Sequence, residues 1–349
     1  MKTSPPESFM IRPTTKDLAK AAGVSRATVD RVLNGREGVK QATVDRVNRA
    51  VKELGFVRNL QAANLAKSQS YRFVFALPSS GDQFLEQIVS HIQEARIIFS
   101  ADHIHCDVIH IDENDPYSIA AFLTSLEKPD VAGVAIMSPE TPQVRDAILR
   151  LQERGIAALP FISNQTMMDE NWVGIDNRAA GATASLLLGQ FVGQRTGSVM
   201  VIAESMQSRD SLERRLGFDD IMNQNFPNLQ ALPSLETYGS SERARKIIAT
   251  TMENNPGIVG IYVMASEARA PLSVVQELEI DKKIVKIAHE RTPYTEAALR
   301  AQTLDAVVAQ NPGHLVRSAI RRLKGIVDDR NTLGSQESIR IEIHLRTNI

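Results

Sequence analysis

The sequence predicts two folded units of different class: a small all-α head over residues 14–58 and a large α/β body over residues 71–349. Three observations predict it. The formal charge of −1 hides a split, in which residues 1–70 carry a net +7 and the remainder a net −8. Before residue 58 apolar side chains recur only at helical spacing, whereas from Tyr71 onward short apolar runs alternate with amphipathic stretches, as strands and helices in turn require. Finally, 349 residues are enough for two or three domains at roughly 100–200 residues each. A content of 43% hydrophobic and 23% charged residues excludes a low-complexity chain.

Residues 1–13 are polar and proline-bearing and read as a disordered tail. They hold no apolar segment of signal-peptide kind, and no later run reaches 18 apolar residues, so export and membrane spanning are not expected. Cys106 is the single cysteine; it can form no intramolecular disulfide and no cysteine metal cluster, which fits the reducing cytoplasm. A basic unit joined to an acidic body reads as a polyanion-binding head on a part with another task.

Within the head, Thr14-x-x-Asp17 opens a first helix. The hydroxyl accepts from an orphan backbone N–H, and the carboxylate lies at the positive end of the helix dipole. Leu18, Ala19 and Ala22 share one face, and Gly23 ends the helix. Ser25 caps a second helix, Arg26–Leu33, which turns Val29, Val32 and Leu33 inward and Arg26, Ala27, Asp30 and Arg31 outward before Asn34-Gly35 stops it. A third helix, Gln41–Leu54, has Val44, Val47, Val51 and Leu54 on its apolar side. Two helices joined by a tight glycine turn, the second with arginines outward, match helix-turn-helix geometry, and Arg26 and Arg31 can each read guanine in a major groove. On residue types alone, a three-helix bundle with a solvated charged face fits equally well.

The segment TTKDLAKAAGVSRATVDRVLNG from Thr14, with AVKELGFVRN at 50–59 and NLAKSQSY at 64–71, resembles the DNA-binding end of the lactose-repressor (LacI/GalR) family of bacterial transcription regulators. The three blocks follow the family's order and spacing. By position the resemblance implies base contacts from Arg26, Ala27 and Arg31, and phosphate contacts near Thr14, Ser25, Thr28 and Asn34. Departures are Asp30, where a small hydroxyl residue is usual, Lys40 in place of a Ser or Thr cap, and Arg58 in place of proline.

Residues 59–70 are rich in Gln, Asn, Ala and Ser and too short to hold a helix alone in water. They read as a hinge, or by composition alone as a plain linker. The resemblance implies that two such segments fold together on DNA, with Leu65 a minor-groove wedge between small flanking residues.

The body's strand-like runs are Arg72–Leu77, Ile104–Ile111, Val131–Met137, Ala157–Ser163, Val173–Ile175, Ser198–Ala203, Ile258–Met264, Ile284–Ala288, Ala306–Ala309 and Ile339–Leu345. Helical stretches such as Phe84–Phe99, Thr141–Arg154, Ala179–Val192 and Gly313–Asp328 lie between most of them. This alternation predicts two doubly wound parallel sheets, whose ligands bind beyond the carboxyl ends of the strands. Loops there supply Asp82, Phe84, Asn164, Asp176-Asn177, Ser266-Glu267, Glu290 and Gln310, with Arg214 on a following helix. Carboxylates, amides, a guanidinium and one ring suit a polyhydroxylated ligand, because each hydroxyl both donates and accepts while a ring packs on C–H.

GIDNRAAG at 174–181, ERRLGF at 213–218, VMASEARA at 263–270, KIAHE at 286–290 and AQNP at 309–312 resemble the bilobed, type I periplasmic-binding-protein-like effector domain of the same family. By position they imply effector contacts from Asp176, Arg214, Ser266, Glu290 and Gln310, with Phe84 as the stacking ring. Ser266-Glu267 and His289-Glu290 depart from the usual Asn-Asp and aromatic-Asp pairs.

Other chemistry finds little support. His103 and His105 share a face that His110 does not, and no carboxylate or cysteine set completes a metal site. His289-Glu290 lacks the second histidine of a zinc hydrolase helix, and no phosphate-binding glycine motif or nucleophile elbow occurs. The expectation is a cytoplasmic, non-enzymatic repressor without cofactor or metal. It binds a pseudo-palindromic double-stranded operator as a homodimer and answers to a small-molecule effector, a sugar or sugar derivative, between two lobes. Alternatives are a regulator with a nucleobase-like corepressor, a sugar-binding receptor and a sugar-modifying enzyme.

Overall fold

In the computed structural model, which describes residues 13–33, 38–56, 70–79, 81–168, 171–278, 283–330 and 334–349, the chain divides into two compact units, 1–69 and 70–349. Asn34, Leu65 and most of the expected tail and hinge lie outside the described residues.

The first unit has helices α1 (Thr15–Ala22), α2 (Arg26–Leu33) and α3 (Gln41–Glu53). Thr14 and Asp17 form a reciprocal capping box: the Thr14 Oγ1 accepts from the Asp17 N–H at 3.3 Å, and the Thr14 N–H donates to Asp17 Oδ2 at 2.8 Å. Those Thr14 contacts hold the Asp17 carboxyl below the usual range. Gly23 follows with φ of +61°, a conformation costly to any side-chain-bearing residue. Leu18, Ala19, Ala22, Val29, Val47 and Ala50 make the core. Leu54, expected on the buried side of α3, is instead the exposed C-cap, because the helix ends at Glu53 and Ala50 takes the inward position. Lys40 caps α3 without any side-chain hydrogen bond.

The second unit begins with β1 (Tyr71–Pro78), α4 (Gln83–Phe99), β2 (Ile104–Ile111), α5 (Pro116–Ser125), β3 (Gly133–Ile136), α6 (Pro142–Glu153) and β4 (Ala157–Pro160). These strands form an all-parallel sheet of order β2-β1-β3-β4. Next come α7 (Asn177–Val192), β5 (Gly197–Ala203), α8 (Arg209–Asn225), β6 (Leu229–Ala231), β7 (Leu235–Glu236), α9 (Ser241–Asn254), β8 (Ile258–Val263), α10 (Arg269–Glu277), β9 (Val285–His289), α11 (Pro293–Arg300), β10 (Ala306–Ala309), α12 (Pro312–Val327), α13 (Gly334–Glu337) and β11 (Glu342–His344). The second sheet runs β11-β10-β9-β8-β5-β6, with β7 also on β5. All its pairings are parallel except β11 on β10, so the expectation of wholly parallel sheets fails at one edge.

The chain crosses between the two lobes after β4, after β10 and before β11, because α12 leaves the second sheet and packs on β1, β3, β4 and α4 of the first. Apolar side chains fill both faces of each sheet, as in a doubly wound fold. The expected strand Val173–Ile175 is not one. That stretch is a crossover making a single parallel bridge, Phe161 to Val173, before Asp176 caps α7. The short strands β6 and β7 were not anticipated, having too few residues to show a period. Among the described residues no helix is long and apolar enough to cross a membrane.

Candidate functional site

In the head, α2 presents Arg26, Ala27, Asp30 and Arg31 to solvent and buries Val29. The Ser25 Oγ accepts from the Thr28 N–H at 3.2 Å and lies 2.9 Å from the Thr28 hydroxyl, so both hydroxyls sit at the start of α2. The outward arginine stripe on the second of two turn-linked helices is therefore real, with Thr14 exposed at the start of α1.

In the body, loops at the carboxyl ends of strands from both lobes meet. Asp82 is buried as the cap of α4; its Oδ1 accepts from the Phe84 N–H at 2.7 Å, and its Oδ2 accepts from the Ser266 hydroxyl, beyond β8, at 2.6 Å. The Ser163 hydroxyl, beyond β4, likewise donates to Asp210 Oδ2 at the start of α8, at 2.9 Å. Arg214, one turn further along α8, is 5% exposed. Its Nε donates to Asn177 Oδ1 at 2.8 Å, its Nη1 to the Met264 carbonyl at 2.8 Å, and its Nη2 reaches Glu290 Oε1 at 3.4 Å. Gln310, beyond β10, donates to the same Glu290 oxygen at 3.0 Å.

Glu290 follows β9 with φ of +62° and no solvent exposure. Burial pushes its carboxyl up to about 7, against the opposing pull of Arg214 and Gln310. Burial together with Arg214 holds His289 well below its usual value, so it is neutral and shares a 2.7 Å hydrogen bond with the Tyr262 hydroxyl. Asp210 and, beyond β5, Glu204 are raised, again by burial first; for Glu204, the charges of Glu113, Asp82 and Glu267 follow. Among the described residues, Gln310 Oε1 and Asp210 Oδ1 are buried acceptors without a hydrogen-bond partner. The centre thus combines one fixed guanidinium, several carboxyls and unused acceptors, a set able to hold a donor-rich polar molecule.

Of the expected body residues, Asp82, Arg214, Ser266, Glu290 and Gln310 come together. Asn164 is buried in the crossover after β4, where its Oδ1 accepts from the Gln165 N–H at 2.7 Å. Phe84 is 1% exposed within the main apolar core, so its ring is not offered to a ligand in this conformation. Asp176 is exposed and caps α7, accepting from the Ala179 N–H at 2.9 Å, and the neighbouring Asn177 is the residue that turns toward Arg214. Helix numbering favours this, since a cap side chain folds back on its own N–H groups while the first helical residue is free to point elsewhere. Two glycines set how closely α7 and α8 approach. A Cβ on Gly181 would lie 1.9 Å from the Arg214 carbonyl oxygen, and one on Gly217 1.9 Å from that of Arg178, so α7 and α8 touch backbone to backbone and Arg214 is carried inward.

The profile of the periplasmic binding protein domain matches residues 73–331, and that of bacterial regulatory proteins of the lacI family matches residues 14–59. Catabolite control protein A of Staphylococcus aureus (strain MRSA252) is 22% identical over 277 residues, spanning 76% of this chain and 80% of the relative. The maltose regulon regulatory protein MalI of Escherichia coli (strain K12) is 27% identical over 254 residues, 71% of this chain and 70% of the relative. Among solved structures, GanP, a glucose-galactose binding protein from Geobacillus stearothermophilus, superposes with a TM-score of 0.70 at 17% identity, covering 80% of this chain and 99% of that one. A putative LacI transcriptional regulator from Bacteroides fragilis gives 0.69 at 18% identity, over 80% and 98%.

Proposed function

Because the chain belongs to the lacI family of bacterial regulatory proteins, with a helix-turn-helix segment ahead of a periplasmic-binding-protein-type domain, we propose that it is a cytoplasmic repressor whose grip on a pseudo-palindromic operator is set by a sugar-class effector held between the two lobes. Arg26 and Arg31 read base edges and Ala27 contacts a base, while Thr14, Ser25, Thr28 and Asn34 meet phosphates and Leu65 enters the minor groove. Asp82, Asn164, Arg214, Ser266, Glu290 and Gln310 hold the effector.

The observation that carries the reading is the buried Arg214–Glu290–Gln310 group at the strand ends, together with the unpartnered acceptors Gln310 Oε1 and Asp210 Oδ1. Unpartnered buried acceptors cost free energy unless a bound molecule donates to them, and sugar hydroxyls do so. Solved structures of the same fold include a glucose-galactose binding protein, a solute-binding protein with bound D-allose and one in complex with D-arabinose. The chain acts as a homodimer: among the described residues β2 is an edge strand paired only with β1, and Ile97 and Ile98 of α4 with Ile109 of β2 are exposed apolar residues that a second copy would cover.

Selecting duplexes from a random library with the full chain, then measuring binding and melting with D-glucose, D-galactose, D-allose, D-arabinose and nucleobases, tests this. The expected result is a palindromic duplex whose affinity changes at least tenfold with one sugar that also raises the melting temperature. Selection of no duplex at low ionic strength would refute the DNA reading, and stabilisation by nucleobases alone would refute the sugar.

A further inference from the structure

Helix α12 connects two places otherwise far apart. Its N-terminus abuts the cleft: Gln310, bonded to Glu290 through both its amide side chain (3.0 Å) and its backbone N–H (3.4 Å), directly precedes the N-cap Asn311, whose side chain accepts from the His314 N–H at 2.9 Å. Pro312 sets the first turn. The helix then runs 16 residues, about 24 Å at roughly 1.5 Å per residue, with Leu315, Val316, Ala319, Ile320 and Leu323 buried.

The other end is bolted to the start of β1. Tyr71, the first strand residue after the segment that leads from the head, is 1% exposed and donates its hydroxyl to Asp328 Oδ1 at 2.6 Å. Lys324 donates to Asp328 Oδ2 at 2.7 Å and to the Tyr71 hydroxyl at 3.3 Å, and its ammonium lies 4.3 Å from the Tyr71 ring centre. Arg330 adds a further contact to Asp328 at 3.4 Å. The terminus itself is closed by two backbone bonds, Asp329 N–H to the Ile326 carbonyl and Arg330 N–H to the Gly325 carbonyl, with Asp329 at φ of +50°. A non-glycine residue held in that conformation marks a terminus over-determined by its surroundings.

We propose that α12 is a coupling rod, with Tyr71, Lys324 and Asp328 as positioning residues that deliver a displacement at the cleft to the chain segment entering the body from the head. This rests on the reading that the cleft holds an effector. A helix packed along one face resists axial compression, so a shift of Gln310 moves the far turn with it, and the hydrogen-bonded Tyr71 hydroxyl moves too. Without the clamp, β1 would keep its sheet partners and the far end of the helix would slide past Tyr71.

Hydrogen–deuterium exchange on the full chain tests the rod with neither effector nor DNA. Gln310→Ala loosens the cleft end; it is compared in otherwise wild-type protein and in a Tyr71→Phe background, which keeps the ring and removes the hydroxyl. The expected result is at least fivefold faster exchange of the amides at 70–72 in the first case, less than twofold in the second, and no change in β6, which lies at the opposite end of the second sheet from β10. An unchanged 70–72 segment, or the same factor in both backgrounds, overturns the proposal. Should Tyr71→Phe melt the body, Asp328→Ala removes the acceptor of the Tyr71 hydroxyl, leaves Tyr71 in place and gives the same comparison. Failure of the effector reading is separate, being the absence of stabilisation by any small molecule.

Discussion

Replacing Glu290 with glutamine isolates the electrostatics of the cleft. Glu290 has no solvent exposure and burial raises its carboxyl from an ordinary 4.5 to about 7. That difference, at ~1.4 kcal/mol for each factor of ten, corresponds to about 3 kcal/mol. The native state keeps the proton up to about pH 7, whereas the unfolded chain releases it near 4.5. Stability from Glu290 is therefore complete below 4.5 and lost as pH rises through 7. Glutamine is neutral throughout and keeps a carbonyl to accept from Gln310 and Arg214. His289 has the opposite sign, since the native state holds it neutral and stability is lost as pH falls through 6.5. The informative quantity is thus the difference in melting temperature between Glu290→Gln and wild type, in which His289 cancels. Differential scanning fluorimetry of the ligand-free protein should give a difference near zero at about pH 4, growing to about 6 °C in favour of the variant at about pH 8, taking ~2 °C per kcal/mol for a unit of this size. A variant destabilised at pH 8 by about 3–5 kcal/mol, as when a buried ion pair loses one member, would refute the reasoning. So would a difference that does not change with pH.

Arg26→Ala and Arg31→Ala should each weaken binding to a duplex selected by the full chain by about 1–3 kcal/mol and relax base preference, with melting of the body unchanged; anisotropy titrations against single-base variants of the duplex decide it. Thr14→Ala removes half of a capping box and should cost about 1 kcal/mol of head stability, seen as faster amide exchange over α1, and unchanged exchange would contradict the cap. Gly217→Ala would drive a methyl group into the Arg178 carbonyl, so the body should melt several degrees lower, an overpacking loss of about 1–3 kcal/mol; an unaltered melting point would mean that α7 and α8 are not in backbone contact. Trp172, the single tryptophan, lies in the first crossover with its carbonyl accepting from Arg322 at 2.9 Å. Its fluorescence should therefore change when a ligand moves the lobes, and a spectrum indifferent to a stabilising ligand would contradict such motion.

The local chemistry of this protein was determined by sequence alone. Charge placement set the basic head apart from the acidic body, Thr14, Ser25 and Gly23 marked helix ends because caps act within three residues, and alternation of apolar runs announced the parallel sheets. That Asp82, Arg214, Ser266, Glu290 and Gln310 converge was legible because the loops after parallel strands gather at one end of each sheet. Tertiary structure alone decided which member of Asp176-Asn177 turns inward, that Val173–Ile175 crosses between lobes instead of pairing in a sheet, and that Phe84 is packed away. It also decided that α12 ties Gln310 to Tyr71. Those outcomes depend on groups distant in the chain, from Asn177 and Arg214 to Tyr71 and Asp328, and no periodicity or spacing encodes a contact between side chains that only packing brings within 3 Å of one another.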